Sequence, residues 1–146
     1  MKKFVFNLQK VMEYKNQKLE NKKMEHAMAI VLLNKQMAKI DALRNRYDDI
    51  NSQFNEKKIS GIAIIEACQY SSFLHTLENE IKKEISNLNE LKKNEDSKRK
   101  EVVEVKIETS TLEKLKEKKY AQYLKEAGKS EELFIEEFVS RQRITN

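Results

Sequence analysis

The chain has no proline and only two glycines in 146 residues. With so little to stop a helix once it has started, the one credible turn decides the fold. That turn is Lys57-Lys58-Ile59-Ser60-Gly61-Ile62, which separates two long runs rich in lysine and glutamate. Glycine adopts the left-handed conformation that closes a helix, and Ser60 is a candidate cap for whatever follows. A single break between two helical runs predicts an antiparallel helical hairpin. Its parts are a first arm over 4–57, a turn over 58–61, a second arm over 62–127 and a C-terminal segment over 128–146.

The apolar pattern tests this prediction. Stepping back from the turn in sevens meets Phe54, Tyr47, Ile40, Leu33, His26, Leu19, Met12 and Val5, with Met37 and Ile30 in the intervening seam. Stepping forward meets Tyr70, Leu77, Glu84, Leu91, Lys98, Val105 and Leu112, with Leu74, Ile81, Leu88 and Val102 alongside. A strict seven-residue repeat is the narrow stripe of a coiled coil. Folding back near Ser60 predicts that Tyr47 meets Tyr70, Ile40 meets Leu77, Met37 meets Ile81, Ile30 meets Leu88, Met12 meets Val105 and Val5 meets Leu112. Lys23 then faces Glu95. The fold class is all-α: two long helices in an antiparallel coiled-coil hairpin, the second overhanging at its C-terminus.

A narrow stripe in a chain that is 36% charged and lacks tryptophan cannot fill a globular core. Two helices of this length predict a rod of roughly 80 Å, with binding surfaces at its ends and flanks rather than a pocket, which argues against an enzyme. Cys68 is the only cysteine, so no disulfide framework forms and a cytoplasmic setting is the default. The opening Met-Lys-Lys-Phe-Val-Phe loses its apolar run too early for a signal sequence or a membrane span. The net charge of +5 comes from lysines interleaved with glutamates, the pattern of a solvated helix face, so no nucleic acid is expected as the main partner. His26, His75 and Cys68 have no companions at metal-ligand or catalytic spacing, so neither a metal nor a cofactor is expected.

Apolar residues in excess of the seam mark three places. Phe4 and Phe6 point to different faces of a helix, and either fold over the far arm or are presented to a partner. After the turn, if Ile65, Tyr70, Leu74 and Leu77 pack inward, Ile62, Phe73 and Cys68 lie on a flank with Ile50 and Leu43; such a collar either splints a fraying tip or, as its size favours, docks a partner. Beyond Leu112 about thirty residues outrun the first arm and have no partner in this register. They carry Tyr120, Tyr123, Leu124, Phe134 and Phe138, with Gly128-Lys129-Ser130 expected to kink or interrupt the helix.

Three stretches resemble the FliJ family of flagellar type III export proteins. They are Phe4-x-Phe6-x-Leu8-x-x-Val11-Met12; Gly61-Ile62-Ala63 with Tyr70, Phe73, Leu77 and Ile81; and Glu113, Lys116 and Lys118 to Tyr123 with Glu136-Glu137-Phe138. The resemblance implies a non-enzymatic coiled-coil stalk that binds the hexameric export ATPase (FliI-like), the export gate protein (FlhA-like) and export chaperones. It implies a cytoplasmic protein held peripherally at the inner face of the cell membrane, with no direct membrane insertion. It places Tyr47, Tyr70, Phe73 and Leu77 near the gate, and Phe4, Phe6, Lys118, Tyr120, Tyr123 and Phe138 at the ATPase. The alternative is a structural or adaptor coiled coil that self-associates through its overhang and binds no ATPase.

Overall fold

A computed structural model describes residues 2–145. It contains two helices, α1 over Gln9–Ser60 and α2 over Ile64–Thr145, packed against each other as a hairpin with no strand among the described residues. The turn consists of residues 61–63. Gly61 has φ 103°, the left-handed region that ends a helix without a Cβ clash. Lys57 and Lys58 lie in the last turn of α1, and Glu66 lies in the first turn of α2, each suited to the helix dipole at its end. Ser60 does not cap α2 as expected. It is the last residue of α1, and its hydroxyl donates back to the Glu56 carbonyl at 3.1 Å.

This later turn changes the register. Tyr70 packs against Phe54, not Tyr47, with ring centroids 5.2 Å apart, and the Tyr47 hydroxyl reaches Glu78 instead. Lys39 pairs with Glu84, Lys22 with Glu101 and Lys15 with Glu108. Facing partners therefore lie about one heptad further along α1 than expected, and the pairs from Tyr47–Tyr70 to Val5–Leu112 are displaced accordingly. Moving the centre of a fold-back by about three residues moves each facing partner by about six, and a heptad pattern looks the same after a shift of seven.

The packing divides into two units. The turn unit comprises Lys22–Val102. Its core holds Ala29, Ile40, Phe54, Leu74 and Leu77. The seam of α1 uses Ala29 and Gln36 where Ile30 and Met37 were expected, and both of the latter are exposed. Alternating steps of three and four from His26 reach Ala29, Leu33, Gln36 and Ile40, so the geometry takes the polar or small residue and turns its larger apolar neighbour out. Glu84, expected in the seam, is buried there; its carboxylate accepts from the Gln36 amide at 2.5 Å and from Lys39 at 3.2 Å. The Gln36 amide also reaches the Glu84 main-chain carbonyl at 2.9 Å. These bonds, the Gln36 amide first and Lys39 second, hold the Glu84 carboxyl below its usual pKa. His26 Nε2 lies 2.9 Å from Glu95 Oε1, so the seam histidine has the acidic companion that its sequence neighbourhood lacks.

The terminal unit comprises the residues up to Asn21 and those from Val103 onward. Its core is Phe6, Met12 and Val105, with Thr109 buried and its hydroxyl donating to the Val105 carbonyl at 2.8 Å. Lys15 pairs with Glu108 at 2.6 Å and keeps that carboxyl below its usual pKa. Residues 2–8 are not helical, although the first arm was expected to start at residue 4. The Gln9 amide donates to the Phe6 carbonyl at 3.1 Å, which closes the turn that starts α1. Non-helical chain spans up to about twice the length per residue of a helix, so this short segment reaches well along α2. At the other end, α2 runs unbroken through Gly128 and Ser130, where a kink was expected. Every residue from 128 to 145 is exposed.

Candidate functional site: the turn and the chain ends

At the turn, Lys58 Nζ lies 3.8 Å from the Phe54 ring centroid and Lys57 Nζ 5.3 Å from that of Tyr70, so each of the two tilted rings has a cation over it. Lys57 also pairs with Glu66 at 2.5 Å, which ties the end of α1 to the start of α2. That carboxylate, with a lesser contribution from Tyr70, raises the Lys57 pKa. Leu77 is 2% exposed and belongs to the core; Tyr70 and Tyr47 are half-buried along the seam. The Tyr47 hydroxyl donates to Glu78 at 3.2 Å, and that carboxylate pushes the phenol above its ordinary pKa. Of the four residues placed near a gate, only Phe73 presents a ring outward. The Arg46 guanidinium sits over it, 5.2 Å from the centroid.

Phe73 also joins two shallow grooves. One runs along α2 past Ile64, Ile65, Cys68 and Thr76; the other lies against Ile50, Gln53 and Tyr70. Ile65 was expected to pack inward, but it is exposed, as are Ile59 and Ile64. The shift of the turn carries these isoleucines past the end of the seam. The collar thus exists, with a different membership: aliphatic residues around one ring. Ile59 and Ile64 carried a signal in the sequence, being apolar residues directly beside a turn, where one helix has no partner to offer.

In the terminal unit the sequence left Phe4 and Phe6 between folding over the far arm and being presented. The rings fold over. Phe6 is buried, and the Phe4 ring lies 5.2 Å from Tyr120 and 5.5 Å from Tyr123. The Tyr123 hydroxyl donates to the Lys2 carbonyl at 2.7 Å. The stretch just after Leu112 is therefore partnered, contrary to expectation, because the register shift and the non-helical segment extend cover at least to Tyr123. An open groove of about 490 Å³ lies between that segment and α2, with Val5 on its rim and Lys119 and Glu126 on its floor. Lys118 is exposed. Phe138 is exposed on the bare helix with Leu133, Phe134, Ile135 and Val139.

Among the described residues no group of histidine, cysteine and carboxylate side chains is arranged to hold a metal ion. No helix among them is long and apolar enough to cross a membrane. No curated protein and no solved structure matches the chain. A family model described as the flagellar FliJ protein matches residues 4–146. That span takes in the non-helical opening, the turn and the bare helix together, and by it the chain belongs to the FliJ family of flagellar export components.

Proposed function

We propose that this export component is a non-enzymatic stalk with a different partner at each region of surplus apolar surface. The terminal unit engages the hexameric export ATPase, and the turn engages the cytoplasmic part of the export gate, with export chaperones as further clients. The observation that carries the reading is the helix from 128 to 145. All of its residues are exposed, yet they include Phe134, Ile135, Phe138 and Val139. Apolar surface of this extent on a soluble helix marks a protein interface. Lys118 and Lys125 precede it, Lys129 lies at its start, and all three suit acidic loops on a partner.

Phe4, Phe6, Tyr120 and Tyr123 act in this scheme by fixing the shape of the terminal unit, and the contact falls to Lys118, Phe138 and the residues around it. The test is removal of residues 129 to 146. The shortened chain keeps the Phe4–Tyr123 contacts, folds, and stimulates the purified ATPase less than the full chain. Equal stimulation by two chains of equal helicity sinks the ATPase assignment.

At the turn, Phe73→Ala weakens gate binding about tenfold or more while the melting temperature barely moves, since a ring anchor in an interface typically contributes about 2 kcal/mol. The bare helix also suits self-association, the adaptor reading. Sedimentation of the full chain as a concentration-dependent dimer, lost with residues 129 to 146, would favour that reading over the stalk.

A further inference from the structure

Within the turn unit, α1 contains seven consecutive apolar residues, Ala27 to Leu33. A helix that is apolar all round is normally buried all round, but here α2 covers one face only. Ala29 is 4% exposed on that face, while Met24 and Met28 are 66% and 69% exposed on the opposite one, and Val31 and Leu32 are half exposed. The outward residues recur at alternating steps of four and three: Met24, Met28, Val31, Lys35, Ala38 and Ala42. That is a second coiled-coil seam on the back of the first. The corresponding outward face of α2 carries Lys83, Glu90, Lys93 and Lys100, as a solvated face should.

We infer that this outer face of α1 is a docking seam for one amphipathic helix of another protein, with apolar residues at heptad spacing and a carboxylate facing Lys35. Three observations select that occupant. The alternating spacing matches the ridges of a helix and not those of a strand. Lys35 is the one charge in the stripe and makes no ion pair among the described residues, so the complement is acidic. A second copy that presented this same stripe in a symmetric pair would bring no carboxylate to meet Lys35. The stripe has few apolar members, far short of the roughly 20–30 residues that each side of a standard stable interface contributes, which fits a single helix that binds and leaves. Met24 and Met28 suit such exchange, because unbranched thioether side chains adapt to differently shaped partners. This inference rests on the surface of the turn unit and not on the ATPase or gate assignments.

The experiment places a photo-reactive amino acid at position 28, and at Ser86 on the outer face of α2 as the control, in flagellated cells whose native copy is deleted. Adducts are identified by peptide sequencing, and the captured protein is then purified for direct binding to the full chain. The expected result is a position-28 adduct within a helical segment of another protein. Its affinity falls at least tenfold with Lys35→Glu and recovers when the facing carboxylate of the partner is changed to lysine. Val31→Asp should also abolish binding with helicity unchanged; if it melts the hairpin, the charge exchange at Lys35 still decides. An adduct to a second copy, an adduct at 86 but not 28, or failure of the charge exchange overturns the inference.

Discussion

Both ends of this hairpin concentrate phenylalanine and tyrosine, and the two regions use them differently. At the turn the tilted rings of Phe54 and Tyr70 pack together under two lysines, and the outward surface is aliphatic: Ile59, Ile64 and Ile65 around the single ring of Phe73. In the terminal unit Phe4 and Phe6 are spent on Tyr120, Tyr123 and the local core, and the outward rings, besides Tyr14 and the half-exposed Tyr120, are Phe134 and Phe138 on the bare helix. Phe4, Phe6 and Phe54 act as braces because each reaches a second surface, whereas Phe134 and Phe138 have none to reach.

The comparison can be broken first at Leu77. Leu77→Ala removes a buried side chain from the turn unit and is expected to cost about 3 kcal/mol, read as a fall in thermal midpoint. Phe73→Ala, four residues earlier, is expected to cost well under half of that. Equal losses would mean that Phe73 braces the turn as Phe54 does.

In the terminal unit Phe4→Ala removes two ring contacts, and local opening of residues 9–12 is expected to become easier by about 1–2 kcal/mol, measured by hydrogen exchange. Phe138→Ala is expected to leave exchange unchanged throughout, within the roughly ±0.5 kcal/mol typical of surface changes. A slowing or loss of protection in the first turn of α1 on Phe138→Ala would show that the bare helix folds back.

Acid sharpens the contrast between seams. Glu84, Glu25 and Asp96 in the turn unit and Glu108 in the terminal unit have carboxyl pKa values below the ordinary range, each through hydrogen bonds to a neighbouring donor. A carboxyl depressed in the folded state adds stability that is complete above its unfolded pKa and fades as pH falls through the folded one. The thermal midpoint should therefore hold near neutrality and decline below about pH 4.5. Glu84→Gln should flatten that decline. Glu84→Leu should raise the midpoint at neutral pH and weaken the choice of register, since a buried polar residue sets register at a cost in stability. Cysteine pairs placed at Phe54 and Tyr70, and separately at Tyr47 and Tyr70, report which register forms. Cross-linking of the first pair alone in Glu84→Leu would show that the turn fixes register unaided. The smallest effect is that of deleting residues 129 to 146, which should leave the midpoint of both units unchanged.

Much of the fold was legible because a heptad repeat survives translation. The seven-spaced residues Phe54, Ile40, Met12, Leu77 and Val105 all proved to be core. The register was not legible for the same reason: a pattern of period seven cannot distinguish pairings that differ by seven. Ile30 and Met37 were assigned inward because they are apolar, yet the three–four alternation gives their places to Ala29 and Gln36. The same misassignment hid the outer stripe of Met24, Met28 and Val31. At the ends, sequence marked Phe4 and Phe73 as surplus to the seam, which both are. Whether a ring finds a second surface depends on where a non-helical segment runs, and no periodicity encodes that.

Gly128 sits inside an unbroken helix with nothing within 4 Å of where a Cβ would stand, so no crowding accounts for the residue there. Relative to alanine it weakens the helix locally by about 1 kcal/mol. The weak point lies close beyond Tyr123, the last residue with a bond to the N-terminal segment, and just before the stretch in which every residue is exposed. Unwinding that begins at the C-terminus has about five turns to consume before it meets this glycine, and past it the braced portion resists. The tail is therefore the part of α2 that opens at least cost, so that ordering it can be coupled to whatever grips it. Replacing Gly128 with alanine would raise that cost.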